Sequence, residues 1–384
     1  MVSESVRGDG RDEQDRRRSF VAVDLTAIRD NAAILRKHIP QDTTLAAVVK
    51  ADGYGHGDVA VARAALDGGA SWLCVATVPE GIALRRAGFD TVRILVLGPL
   101  AVDEVSALVA WNLTPTVDDS SPVGEITECA RRLGCAPYHI HVKVDTGLHR
   151  FGVPAHELGA FLARLRAMDA VHVEGLSSHF ATADAPSDPY LHEQARRFAQ
   201  IVDALDQAGL RPPIIHLSNS GAVLQQVAPW DMVRVGIALY GIPPSEEIPL
   251  IPGMRPVMAV WSAVARVITL DTGAAVGYGR RYVAAVPHRA ALVPLGYADG
   301  LPRALTNAGA VFINGARCPI IGAVSMDQCV VAIPDPTPVS VGDRVVIVGA
   351  EQRITELARD ANTISYELAV RFGARMRRVY DERQ

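Results

Sequence analysis

The chain has 384 residues, 49% of them hydrophobic and 21% charged, with a formal net charge of −4. Such a length accommodates two domains, and such a composition a large packed core, which excludes wholesale disorder. The small net charge gives no basis for a nucleic-acid or anionic-membrane partner, and no apolar run approaches the ~18 residues of a membrane span.

Residues 1–18 lack the apolar stretch of a secretory signal and read as a disordered charged tail. A short run near 20–25 follows. From Val21 to Gly241, apolar runs alternate with amphipathic stretches. The strand expectations are Leu45–Val49, Trp72–Ala76, Arg93–Leu97, Leu113–Val117, Tyr138–Val144, Val171–Leu176, Ile214–Leu217 and Met232–Val235. Helical spacing of apolar residues separates most of them, as at Asp58–Ala65 and Pro79–Ala87. Eight strands alternating with helices fit an α/β fold of the (β/α)8 TIM-barrel type over residues 19–254. On pattern alone a doubly wound open sheet stays open as an alternative. Five prolines between Gly241 and Pro256 mark a boundary. Residues 255–384 then read as a mainly β C-terminal domain, with strands at Val257–Leu270, Ala290–Pro294, Val311–Asn314, Cys318–Ile321, Cys329–Ile333 and Arg344–Val348. A short helix is expected at Ile364–Phe372. The first strand near 20–25 is a candidate to join this domain. The five cysteines include no C-x-x-C pair, which points to reduced thiols and a cytoplasmic setting.

Barrel enzymes carry their chemistry at the carboxyl ends of the strands. Lys50 follows the first strand and precedes a turn with Gly53, Gly55 and Gly57 around Tyr54. A lysine in such poor solvent has a lowered pKa and a nucleophilic amine, although a lone strand-end lysine is usually a surface residue. Lys143 and Arg150 lie at and after the fifth strand, His179 after the sixth, and Asn219, Ser220 and Gly221 after the seventh. Arg234 and Gly236 end the eighth. Ser218-Asn219-Ser220-Gly221 is often a helix cap, yet free amides there can also cradle a phosphate. A structural ion pair is the plain reading of Arg234. His139 and His141 alternate on one strand face, but no third ligand at sensible spacing supports a metal, so a barrel-interior role is expected.

Together these segments are similar to the alanine racemase family of fold-type III pyridoxal-phosphate enzymes. The resemblance is carried by AVVKADGYGHG (47–57), KVDTGLHRFG (143–152), SHFATAD (178–184), RVGIALYG (234–241), VGYG (276–279), GYADG (296–300) and SMDQ (325–328), and it spans about Phe20 to Tyr380. It implies that Lys50 carries pyridoxal 5'-phosphate and is the base on one face of the substrate. Tyr278, from a partner subunit, would be the base on the other. Racemisation removes a proton from one side of Cα and returns it to the other, which two opposed bases do directly. Tyr54, Ser220, Gly236, Ile237 and Tyr366 would hold the phosphate, with Asn219 beside them. His179 would flank the cofactor ring and link Arg234 to the site. Arg234 would face the pyridine nitrogen as a donor only, keeping it unprotonated and disfavouring transamination. Arg150 would contact the cofactor oxygen and, with Met326 of the partner subunit, the substrate carboxylate. Lys143 resembles the lysine that is often carbamylated in the family. Asp184, Tyr297, Arg303 and Asp327 match the entryway, where Ala323 replaces an arginine and predicts a more open entrance. The resemblance thus implies a cytoplasmic homodimer that interconverts L- and D-alanine for peptidoglycan. The alternatives are a racemase for serine or a broader substrate range, a non-catalytic cofactor-binding protein, and an aldolase using Lys50 without cofactor.

Overall fold

Runs such as Trp72–Val75 and Thr114–Val117 are buried along their whole length. A strand buried on both faces needs cover on both sides, which a barrel ringed by helices supplies. The computed structural model describes residues 19–381, so the tail at residues 1–18 lies outside the described residues. By contacts these divide into two units, residues 27–53 with 58–255, and residues 19–26, 54–57 and 256–381.

In the first unit, eight parallel strands close on themselves. They are Thr44–Val48, Trp72–Val75, Arg93–Val96, Thr114–Val117, Tyr138–Asp145, Val171–Ser177, Ile214–His216 and Met232–Val235. The last pairs with the first, Val233 opposite Leu45 and Val235 opposite Ala47. Closure excludes the open doubly wound sheet. The observed strands are the eight expected ones, each end moved by at most one residue. The helices Asp58–Asp67 and Val78–Arg86 fall where the spacing placed them.

One irregularity matters for the interior. The pairing of Tyr138–Asp145 with Val171–Ser177 slips between Ile140 and His141. His141 is fully buried, whereas the His139 side chain is 48% exposed. Only one of the two histidines therefore takes the interior role expected of both.

The second unit is mainly β. A six-stranded sheet runs in the order Ala316–Pro319, Ala310–Ile313, Arg344–Val348, Met258–Ala263, Phe20–Asp24, Arg377–Asp381. Phe20–Asp24 lies antiparallel to Met258–Ala263, with Phe20 opposite Trp261, and parallel to Arg377–Asp381. A three-stranded sheet joins Arg266–Leu270, His288–Val293 and Cys329–Ile333. The run expected as one strand, Val257–Leu270, divides between the two sheets where Val264 bonds to Asp343 and Ala265 to Leu292. The helix Ile354–Asp360 was missed although Ile354, Leu357 and Ala358 have helical spacing, and the strand Arg377–Asp381 lacked a sequence signal because its RRVYD is largely charged. All five cysteines are free thiols.

Gly175, in the sixth barrel strand, faces the His141 ring so closely that an added Cβ would stand 2.4 Å from His141 Nδ1. Gly175→Ala is expected to lower stability by about 1–3 kcal/mol, the usual range for overpacking. Urea unfolding checks this as a lower midpoint at unchanged slope.

Candidate active site

Lys50 follows the first barrel strand and opens a short turn, Lys50–Gly55. Ala51, Asp52, Gly53 and Tyr54 all have φ between 53° and 59°. This is a left-handed helical turn, which costs roughly 1–2 kcal/mol for each residue bearing a Cβ. The glycine-rich stretch is thus a defined, strained structure and not the mobile turn its composition suggests. Two bonds hold its start: Gly53 N–H donates to Val49 O at 2.9 Å, and Ala51 N–H to Glu80 Oε1 at 2.7 Å. Burial, then the Arg150 charge, lower the Lys50 pKa, and Glu80 opposes them.

Arg234 is 5% exposed and sits at the end of the eighth strand. Its Nη1 lies 2.6 Å from His216 Nδ1. Its Nη2 reaches Ser178 O at 2.8 Å, Leu217 O at 3.1 Å and His179 Nδ1 at 3.2 Å. Nε engages none of these four acceptors. Because guanidinium only donates, both imidazole Nδ1 atoms must accept. His216 then carries its proton on Nε2 and donates to His141 Nδ1 at 2.8 Å. That leaves the His141 proton on Nε2, which makes no hydrogen bond but stands 3.5 Å from Glu174 Oε2, close enough to feel its charge. Glu174 in turn binds Arg93 through both oxygens and lies 3.3 Å from His139 Nδ1. Burial, reinforced by Arg234, pushes His179 and His216 well below the usual histidine range, so both are neutral.

Lys143 is also nearly buried. Its amine donates to Phe151 O and stands 4.1 Å from the Phe151 ring centroid. Burial, then Arg150, bring its pKa down to about 8. The loop carrying Arg150 is set by Asp145, whose Oδ1 accepts from the amides of Gly147, Leu148 and His149 at 2.8–3.2 Å. Arg150 itself is exposed. Ser220 Oγ accepts from the amides of Gly236 at 3.0 Å and Ala238 at 3.3 Å, with Ile237 between them in sequence. The Asn219 oxygen caps Ala222 N–H at 3.2 Å, the reading that needs no ligand. Gly221 lets the Asp184 segment close on this helix: a Cβ there would stand 2.2 Å from Ala183 O.

In the mainly β unit, Tyr278 is 78% exposed on a turn where Gly277, Gly279 and Arg280 have φ of 48–70°. Met326 is 52% exposed and Tyr297 40%. Their loops are zipped together, Tyr297 N–H to Ser325 O at 3.0 Å and Ala298 N–H to Met326 O at 2.9 Å. Arg375 spans both loops, 3.2 Å from Asp299 and 2.6 Å from Asp327. Arg303 opens the short helical turn Arg303–Leu305. Ala323 is nearly buried, beside Gly277. The rings of Tyr54 and Tyr366 lie 6.3 Å apart. Glu80 and Arg375 were missed from sequence. Glu80 had a signal, the capping box Thr77-Val78-Pro79-Glu80, but that pattern names a helix start and not its second contact.

Family models for the N-terminal and C-terminal domains of alanine racemase match residues 23–244 and 257–380. The chain belongs to the alanine racemase family. It is accordingly an amino-acid racemase, an isomerase. It is 42% identical to the alanine racemase of Symbiobacterium thermophilum, over 95% of this chain and 97% of that one. The alanine racemase structure from Streptomyces coelicolor A3(2) superposes with a TM-score of 0.89 at 37% identity, covering 96% of this chain and 99% of that one. That from Bartonella henselae, described with covalently bound pyridoxal phosphate, gives 0.86 at 27% identity over 95% and 99%. Among the described residues no helix is long and apolar enough to cross a membrane, and no group of three or more acidic, His or Cys side chains is placed to hold a metal.

Burial alone would raise the Glu174 carboxyl, but His141 and Arg93 outweigh it and hold the pKa at about 2. A depressed carboxylate stabilises the fold above its unfolded value and loses that contribution as pH falls through the folded value. Glu174→Gln should therefore cost roughly 2–3 kcal/mol at pH 7. Urea unfolding of both proteins should show the difference shrinking between about pH 4.5 and about pH 2, the unfolded and folded values.

Proposed function

We propose that this racemase uses pyridoxal 5'-phosphate held by Lys50 to interconvert L- and D-alanine, with a second copy of the chain completing each site. The observation that carries this reading is the donor set at the barrel mouth. Lys50, Lys143, Arg150 and Arg234 are all cationic or amine groups, each of the two lysines is depressed by Arg150, and Ser220 stands beside the amides of Gly236 and Ala238. That set suits an anionic group bearing a reactive carbonyl, and the Bartonella relative is described with this cofactor bound. When bound, the cofactor supplies the electron sink that acidifies the Cα proton of an amino acid joined to it.

The chain's own residues then divide the work. Lys50 would be the attachment point and would accept the Cα proton on one face as a neutral amine, or return it as the ammonium. Tyr278 of the partner subunit does the same on the other; its 78% exposure, with Met326, Val283 and Val286 also exposed, is what a surface awaiting a second copy presents. Tyr54, Ser220, Gly236, Ile237 and Tyr366 are assigned to the phosphate, and Asn219 supports that loop as a cap. Arg234 would present a donor to the cofactor's ring nitrogen and would have no proton to give up, since its pKa, lowered by burial to about 10, leaves it charged. His179 fixes one edge of that guanidinium. Arg150 and Met326 of the partner subunit receive the substrate carboxylate. Lys143, with a pKa of about 8, keeps a neutral fraction that can add carbon dioxide and so present an anion to Arg150. Asp184, Tyr297, Arg303 and Asp327 line the approach. Tyr366 favours a side chain as small as methyl over serine or larger substrates, while Ala323 leaves the entrance without the arginine common in the family. Supply of D-alanine for peptidoglycan from the cytoplasm follows as the role.

Borohydride treatment of the purified protein should fix the cofactor on the peptide containing Lys50 and abolish activity. Lys50→Ala should lose at least about a thousandfold in turnover, the scale of a removed acid–base group; wild-type turnover in that variant would sink the assignment. Tyr278→Phe should slow racemisation by about 10²–10⁴-fold. In D2O it should leave Cα–H exchange of just one enantiomer near the wild-type rate. Equal loss of exchange for both enantiomers would remove the two-base assignment.

A further inference from the structure

The carboxylate of Glu80 makes more contacts than its place in the helix start requires. Its Oε2 accepts from Ala76 N–H at 2.7 Å and Thr77 N–H at 3.1 Å, while Thr77 Oγ1 accepts from Glu80 N–H at 3.4 Å. That completes the capping box of Val78–Arg86 with one oxygen. The other oxygen, Oε1, is committed to Ala51 N–H at 2.7 Å. Ala51 directly follows the reactive lysine and is the first residue of the left-handed turn, with φ of 54°. An alanine in that conformation persists only where its surroundings over-determine it.

We propose that Glu80 is a positioning residue for Lys50: its second carboxylate oxygen clamps the left-handed turn at Ala51, the residue that directly follows the lysine. The proposal rests on the reading of Lys50 as the cofactor lysine. A plain capping box would leave Oε1 to water, so the committed oxygen marks a second task. The link also joins two successive βα loops, so the helix that follows the second strand fixes where the first strand's lysine points. The charged and titratable groups that interact with the amine are Arg150 and His179 from other loops, and Glu80; Asp58, in the helix after the turn, interacts with Asp52 and Glu80. Of these, Arg150 lowers the lysine's affinity for a proton and Glu80 raises it. Glu80 thus keeps the amine basic enough to accept a proton after burial and Arg150 have made it nucleophilic.

The test separates clamp from charge in the full-length protein. Glu80→Gln removes the charge and keeps one acceptor oxygen; Glu80→Asp keeps the charge and shortens the reach. With cofactor removed by hydroxylamine dialysis, the pH midpoint for acetic anhydride labelling of Lys50 is read by peptide mass spectrometry. Loss of a nearby anion disfavours the ammonium, so the Gln midpoint should fall by about one unit, while the Asp midpoint stays at the wild-type value. After reloading with pyridoxal phosphate, both variants should carry several-fold less borohydride-fixed cofactor on Lys50 than wild type at limiting cofactor. Circular dichroism confirms that each variant is folded. An unchanged Gln midpoint overturns the proposal whatever the loading shows. If wild type itself fixes no cofactor on Lys50, the cofactor reading fails instead, and the labelling midpoints still decide the role of Glu80.

Discussion

The buried guanidinium of Arg234 is the constraint on which the barrel's polar interior depends. It is 5% exposed, and its four acceptors are two carbonyl oxygens and two imidazole nitrogens, none of them charged. Taking such an ion out of water is costly unless its donors are satisfied and a countercharge lies within reach. The satisfaction is local and comes from neutral groups; what is relayed inward is proton placement and not charge, since Glu174 is already paired with Arg93. Arg234 fixes the tautomer of His216, His216 fixes that of His141, and His141 turns its remaining proton toward Glu174. One donor at the mouth thereby orders a column of side chains down the barrel, and the pairing slip at His141 with Gly175 opposite makes room for it.

The same choice explains the electrostatics of the mouth. With neutral partners around Arg234, its charge is left to act on its surroundings, and it contributes to lowering His179, His216 and Lys143. Arg150 adds to this at both lysines. Like charges held close in poor solvent are unfavourable until an anion arrives, so the mouth is built to gain from binding a phosphate or carboxylate. A carboxylate beside Arg234 would have cancelled that field and also offered a proton acceptor where a permanent donor stands.

How much of this was legible in the sequence follows from which forces leave a local trace. Strands covered on both faces are apolar at most positions, so all eight barrel strands could be read to within one residue. Arg377–Asp381 could not, because its pairing with Phe20–Asp24 comes from the far end of the chain and its charged residues carry no apolar pattern. Lys50, Lys143, His179, Ser220 and Arg234 were visible because a barrel puts strand-end residues on one face. Their connections were not: nothing in a sequence says that Arg234 meets His216 rather than a carboxylate. The exposed position of His139 was misread because a simple alternation cannot register a slip in pairing.

The Lys50 turn shows the same limit most sharply. Three glycines within five positions suggest freedom, yet the residues that carry the left-handed conformation include Ala51, Asp52 and Tyr54, for which it is unfavourable. Strain of that kind cannot be encoded by the strained residues themselves; it has to be imposed by neighbours that gain more from holding it than it costs. Here the visible neighbours are Val49, through its carbonyl, and Glu80, through an oxygen its own helix does not need. A lysine on a freely moving turn would sample solvent and recover an ordinary pKa. Holding the turn rigid keeps the amine in the poor solvent that lowers its pKa, so the strain in the backbone and the reactivity of the side chain are one arrangement.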